Sequence, residues 1–206
     1  MTMPEPMKYE KILDALEELL TSRDMQAITV REIAQAAGIG KGSIYYYFSS
    51  KEEILDALIE RNYKKPLELA KNLATQKEIP PFTRMAMLFQ ACRSSSAEFI
   101  RQDASVSALE TGTEWAFLHQ KYLNYMVTEL KPVLTSIIQQ GIEAGDITFD
   151  HPAALAEIVL IILTVKLDNT IVPSTEEETA ETIRGLICLL EKGTENPVGA
   201  LNFLMS

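Results

Sequence analysis

Two cysteines and two histidines are all that this chain of 206 residues holds of the side chains that most often form disulfides or bind transition metals. Cys92 and Cys188 share no pairing motif, which excludes a disulfide framework and fits a reducing compartment. His119 lies in a helical stretch and His151 beside a proline, and neither belongs to a metal-ligand or nucleophile–base pattern. No catalytic residue, metal or cofactor is therefore expected. The acidic run Glu176 to Glu178 reads as carboxylates favouring the start of a helix. Long apolar runs are missing as well. The longest, AALAEIVLIILTVKL at 153–167, is too short to cross a bilayer and carries Glu157 and Lys166, so it reads as a buried helix and no membrane partner is expected. The N-terminus lacks the basic start, apolar middle and small-residue cleavage pattern of a secretion signal, and a cytoplasmic location is the expectation. Strict alternation of apolar and polar residues is scarce, whereas spacings of three and four recur throughout, which gives an all-α fold class.

Positive charge is also in short supply, with 19 Lys and Arg against 29 Asp and Glu, a net charge of −10. A protein that binds phosphate usually shows a basic face, but the acidity is uneven. Residues 1–65 hold nine Lys or Arg against eleven Asp or Glu, a net of −2, while residues 66–206 hold ten against eighteen, a net of −8. Between positions 33 and 51 the only charges are Lys41 and Lys51, so this stretch is free of acid and locally positive.

Apolar positions Ile12, Leu13, Leu16, Leu19 and Leu20 form one helical stripe, ending near Ser22 to Asp24. Thr29-Val-Arg-Glu32 has the form of a capping box, so a second helix starts at Val30 and stops at Gly38. Lys41 to Phe48 forms a third, and Ser50-Lys-Glu-Glu53 caps a fourth, with a bend or break expected at Pro66. Pro80-Pro81 precedes a helix over about 82–101, a further break falls near 110–113, and a long helix follows from about 114 to 144 with a possible kink at Pro132. Ser174-Thr-Glu-Glu177 is a further candidate capping box, opening the last helix. The chain is accordingly divided at Pro66 into domains 1–65 and 66–206.

Two helices joined by a glycine turn, the second opening on small and hydroxylated residues, form a helix-turn-helix. In GIGKGSIYYYF, at 38–48, Gly42 and Ser43 permit close approach of the backbone to a groove edge. Ile44 and Phe48, four apart, face a core, which turns Tyr45 and Tyr46 outward, where a phenol meets phosphate oxygens and thymine methyl groups. Tyr47 divides evenly between a packing role and a DNA contact. Lys51, in the next helix, reaches a further phosphate. TVREIAQAAGIGKGSIYYYFSSKEEIL, at 29–55, resembles the signature of the TetR family of transcriptional regulators, and the likeness extends back through the first helix. Asp24 and Gly40 stand where the family commonly has glycine and serine. The GIEAGDITFDHPAALA segment leading into the apolar helix is similar too. The resemblance implies a homodimer on a pseudo-palindromic operator in double-stranded DNA, released by a small-molecule effector held in the C-terminal domain. Carried over by position, it implies DNA contacts from Thr29, Arg31, Lys41, Gly42, Ser43, Tyr45, Tyr46 and Lys51.

In the C-terminal domain, Phe89, Cys92, Trp115, His119, Tyr122, Tyr125 and Met126 occur at spacings that suit a ligand cavity. Ile158, Ile161, Ile162 and Val165, with Ile183, Leu186 and Leu190 on the last helix, suit a four-helix dimer interface. The alternative to a ligand-responsive repressor is a helical protein-interaction module without operator binding, since the apolar helix needs a partner in either case.

Overall fold

The computed structural model describes the backbone of residues 6–23, 25–104, 113–168 and 172–205, and side chains over 7–23, 25–92, 120–121, 123–166 and 172–205. Among the described residues there are eight α-helices, one short 3-10 turn and no strand. The chain is all-α, with an N-terminal helix-turn-helix followed by a larger helical part. The helices are α1 (Pro6–Leu20), α2 (Val30–Ala36), α3 (Lys41–Tyr47), α4 (Lys51–Thr75), α5 (Pro81–Ala104), α6 (Thr113–Ala144), α7 (Pro152–Asp168) and α8 (Glu176–Gly193). The 3-10 turn covers Asn202–Leu204. Two compact units are distinguished, one formed by Met1–Lys64 with Ser96–Lys121 and the other by Lys65–Ser95 with Tyr122–Ser206.

In the first unit the helical stripe of α1 buries Ile12, Leu13 and Leu16 together with Ile33 of α2, Ile44 of α3 and Ile54, Leu55 and Leu58 of α4. Each such side chain contributes about 1.5–3 kcal/mol by leaving water. Polar ties add direction. Arg61 of α4 donates to Glu10 at 3.2 Å, Asp14 at 2.6 Å and Glu17 at 2.7 Å, three carboxylates at helical spacing along α1. Burial alone would lower the Arg61 pKa; these carboxylates outweigh it and raise it. Lys121 closes the unit elsewhere with a 2.5 Å bond to Asp56.

The second unit buries Leu88 of α5, Leu134, Ile137 and Ile138 of α6, Ala156, Leu160 and Leu163 of α7, and Ile187 of α8. Gly141 of α6 sits where a Cβ would lie 2.7 Å from the end of the Ile147 side chain and 3.3 Å from Pro81, so α6 passes close to the start of α5 there.

Several boundaries differ from the sequence reading. α4 runs through Pro66 without a break, and α6 runs through Pro132 as the single long helix expected there, because one missing donor in a helix of 25 or 32 residues is outweighed by the turns on either side. The last capping box is one residue later than expected. Thr175 accepts from the Glu178 amide and Glu178 from the Thr175 amide, because the Ser174 hydroxyl is taken up by Lys166 and the Val172 carbonyl. At α4 the cap is split. Ser50 accepts from the Glu53 amide at 3.1 Å, while the Glu53 carboxylate reaches Ser49 instead, at 2.6 Å to its amide. The break expected near 110–113 lies outside the described residues as far as 112, with α6 starting at Thr113, and the departure at Asp24 lies outside them too.

Candidate functional site

The turn between α2 and α3 is built by a Schellman closure. Gly38 adopts φ +66°, and the amides of Gly38 and Ile39 donate to Gln35 and Ala34 at 3.2 and 2.9 Å. A side chain there would have to enter the left-handed region, which glycine does without cost. At the other end of α2, Thr29 and Glu32 form the expected capping box. Arg23 donates to the same Glu32 carboxylate at 2.7 Å and to the Ala27 carbonyl at 2.8 Å. These bonds, from Arg23 first and from Thr29, pull the Glu32 pKa down to about 2. A carboxylate lowered on folding stabilises the fold above the ordinary range of its kind, and that contribution fades as the pH falls towards 2.

On α3 the pattern of burial follows the sequence reading. Ile44 and Phe48 are buried, and Phe48 packs on the Tyr9 ring with centroids 5.0 Å apart. Burial, with neighbouring glutamates, raises the Tyr9 pKa. Tyr45 and Tyr46 are 53% and 59% exposed, although apolar rings of that size are normally covered. Lys41, Gly42 and Ser43 are exposed on the same short helix, and open space lies over Gly42. Arg31 and Thr29 are exposed on and before α2. Tyr47 is half-buried and meets Tyr46 edge to face at 5.2 Å.

Lys51 has a different occupation from the one its position suggested. Its ammonium donates to the carbonyls of Met25 at 2.6 Å, Ile28 at 2.8 Å and Gln26 at 3.3 Å. An ammonium has three protons, and all three are engaged by the turn that precedes α2. Lys51 therefore fastens α4 to that turn and orients α2. The signal for this role lies in a turn more than twenty residues away, where no local spacing reveals it.

The second unit contains one further feature of note, a partly open cavity of about 40 Å³ lined by α5, α6, Ile147 of the loop after α6, α7, α8 and the segment after α8. Of the residues assigned to a ligand cavity from sequence, Phe89 lines it. Cys92 and Met126 are buried elsewhere in the unit and Tyr125 is half-buried. The side chains of Trp115, His119 and Tyr122 lie outside the described residues. The sequence reading missed Leu201, Phe203 and Leu204, which wall the cavity from beyond the last helix. Their signal was the run of apolar residues from Val198 to Leu204, after the helical pattern had ended.

The interface residues divide. Ile158 and Ile161 are 48% and 45% exposed on α7, with Ile162 and Val165 half-buried beside them. On α8, Ile183 and Leu186 are buried within the chain and Leu190 lines the cavity, so they face inward; the exposed apolar residue is Leu189, at 72%. Among the described residues no helix is long and apolar enough to cross a membrane, and no group of three or more His, Cys, Asp or Glu is placed to hold a metal.

Comparison with known proteins places this geometry. A match to the nucleoid occlusion factor SlmA of Actinobacillus pleuropneumoniae is 33% identical over 106 residues, 51% of this chain and 50% of that protein, so the chain spans about half the length of these relatives in the match. The fatty acid metabolism regulator protein of Bacillus subtilis is 30% identical over 147 residues, covering 68% of this chain and 71% of that protein. Among solved structures, SmeT, the repressor of the Stenotrophomonas maltophilia multidrug efflux pump SmeDEF, has the same fold, with a TM-score of 0.66, 17% identity and coverage of 93% of this chain and 92% of that one. The sequence pattern described as bacterial regulatory proteins, tetR family, matches residues 12–58, the stretch that holds α2, the glycine turn and α3, and with the relative matched over more than two thirds of its length this establishes that the chain belongs to the tetR family.

Proposed function

We propose that the protein is a dimeric, ligand-responsive DNA-binding regulator, a repressor that a small molecule releases from a pseudo-palindromic operator. The observation that carries this reading is the exposure of Tyr45 and Tyr46 on a helix that also presents Lys41, Gly42 and Ser43 and no carboxylate. Two large rings held outward by the burial of Ile44 and Phe48 have no use in the core of one chain. Against DNA they supply phenolic donors and flat surfaces beside a lysine. Arg31 and Lys41 supply positive charge, and Thr29 adds a hydroxyl at the start of α2. The strong net negative charge of the remaining chain keeps non-specific attachment weak. The exposed Ile158, Ile161 and Leu189 support a homodimer, which would set two copies of α3 for successive major grooves about 34–36 Å apart. The names of the relatives, one a metabolic regulator and one a repressor, support regulation of transcription.

Selection of bound fragments from random double-stranded DNA, followed by anisotropy titration at two salt concentrations, tests the reading. A two-fold symmetric motif with salt-sensitive affinity is expected. Recovery of no symmetric motif would leave the interaction-module reading in its place.

A further inference from the structure

We infer that the segment after α8 is a displaceable cover over a binding cavity, and that the molecule admitted beneath it is apolar and uncharged; this rests on the reading of the protein as ligand-responsive. Twelve of the thirteen residues around the cavity are apolar. The exception, Thr194, donates its hydroxyl to the Leu190 carbonyl at 2.7 Å and accepts from Asn196 at 3.0 Å, so its polarity is spent locally. A charged group entering there would lose its water and meet no partner. At about 40 Å³ the cavity, partly open to solvent, is far below the roughly 300–1,000 Å³ of an occupied small-molecule site. Part of its wall must move for a ligand to fit.

Two parts of the wall are not helix, Ile147 in the loop between α6 and α7, which packs on Gly141, and the segment after α8. Leu201, Phe203 and Leu204 lie on a segment whose only regular element is a three-residue 3-10 turn. The Phe203 ring stacks against Phe89 of α5 with centroids 6.4 Å apart. Glu191 holds this segment down. Its carboxylate, 5% exposed, accepts the amides of Gly199 at 2.8 Å and Leu201 at 3.1 Å on one oxygen. Glu191 does not itself line the cavity. At the root of the segment Glu195 sits at φ 56°, the one non-glycine residue with a left-handed backbone among the described residues. That left-handed residue closes the C-terminus of α8, where the Asn196 amide donates to the Glu191 carbonyl at 2.8 Å, so the segment leaves the helix at a fixed point. A segment with little regular structure, held by two hydrogen bonds to one carboxylate, is what distinguishes a movable cover from the packed helices around it. Release of Phe203 and Leu204 adds their volume to the cavity beside Phe89 and leaves an apolar pocket open to solvent.

The test uses the full chain without DNA and the neutral fluorophore N-phenyl-1-naphthylamine, with its anionic counterpart 8-anilino-1-naphthalenesulfonate as the charged comparison. Saturable binding of the neutral probe at one molecule per chain is expected, with the anion at least roughly tenfold weaker. Glu191→Ala frees the segment and should tighten apparent binding roughly tenfold, because the open form no longer has to be drawn from a small population. Glu191→Gln, which keeps the accepting oxygen, should stay near the wild type. Val159→Phe, filling the cavity from α7, should abolish binding. Equal affinities in the wild type and Glu191→Ala would overturn the cover. Equal binding of both probes would overturn the ligand class, and probe binding that survives Val159→Phe, or no saturable binding at all, would overturn the site. Operator affinity is measured separately. Probe binding that leaves DNA affinity unchanged would sink the effector reading while the covered cavity stands.

Discussion

Two side chains only six positions apart, Tyr45 and Lys51, were given the same task by their spacing, and the structure separates them. Tyr45 has more than half its surface in water, whereas the Lys51 ammonium is spent on three carbonyls of the turn before α2. Replacement of Lys51 by Met keeps the alkyl stem and removes the charge-assisted bonds, each of a kind worth about 1.5–3 kcal/mol where it is well sheltered. The site is half-exposed, so Lys51→Met should lower stability by about 2 kcal/mol, read as an earlier urea midpoint for the first unit. Tyr45→Ala should change stability by less than about 0.5 kcal/mol and weaken DNA binding on every sequence tried. An unchanged midpoint in Lys51→Met would remove its fastening role, and unchanged affinity in Tyr45→Ala would remove the contact. The outward tyrosines were legible in the sequence because Ile44 and Phe48 fix their side of a helix by local periodicity. The role of Lys51 was not, since it depends on which turn the fold brings to its end.

At the scale of elements, the helices were readable from apolar spacing and caps, because both act within one or two turns of chain. The Thr29 box is formed as spaced, and the box at α8 moved by one residue only because two neighbours in sequence, Ser174 and Thr175, are both able to cap and Lys166 engages the first. The cover over the cavity was not readable. Residues 194–205 carry no period, and two of their amides are held by a single carboxylate of α8, a contact that no local spacing announces. The close passage at Gly141 is of the same kind, since a glycine inside a helix looks in sequence like a weak point. Gly141→Ala gains up to about 1 kcal/mol of helix propensity. The added methyl would meet Ile147 at 2.7 Å and the less yielding Pro81 ring at 3.3 Å, and overpacking of this sort costs about 1–3 kcal/mol. Net destabilisation of about 1 kcal/mol is expected by thermal or urea unfolding. A more stable variant would mean that Ile147 swings aside freely and that the helices are not in fixed contact there.

For the molecule as a whole, the decisive question is what covers α7. A helix with Leu155, Val159, Leu160 and Leu163 buried on one side, and Ile158 and Ile161 almost half-exposed on the other, is apolar all round, and such helices lie between two layers. One layer is present in the chain. A second copy supplies the other if the protein is a dimer, with Leu189 of α8 continuing the exposed surface. The substitutions that test this must avoid the subunit's own core: Ile183 and Leu186 are buried, so a charge there would unfold the chain and report nothing about assembly. Ile161→Glu and Leu189→Glu place charge on surface that one copy already leaves in water. Both variants should keep helical content and near-wild-type solubility at low concentration, and both should sediment as monomers at micromolar concentration where the wild type is a dimer. Operator affinity should then fall steeply, because two reading helices on one dimer bind a symmetric site at a high effective concentration and separate monomers do not. A monomeric wild type would refute the assembly. Dimers that persist in both variants would place the interface on another face of the second unit, and monomers with undiminished operator affinity would detach DNA binding from assembly altogether.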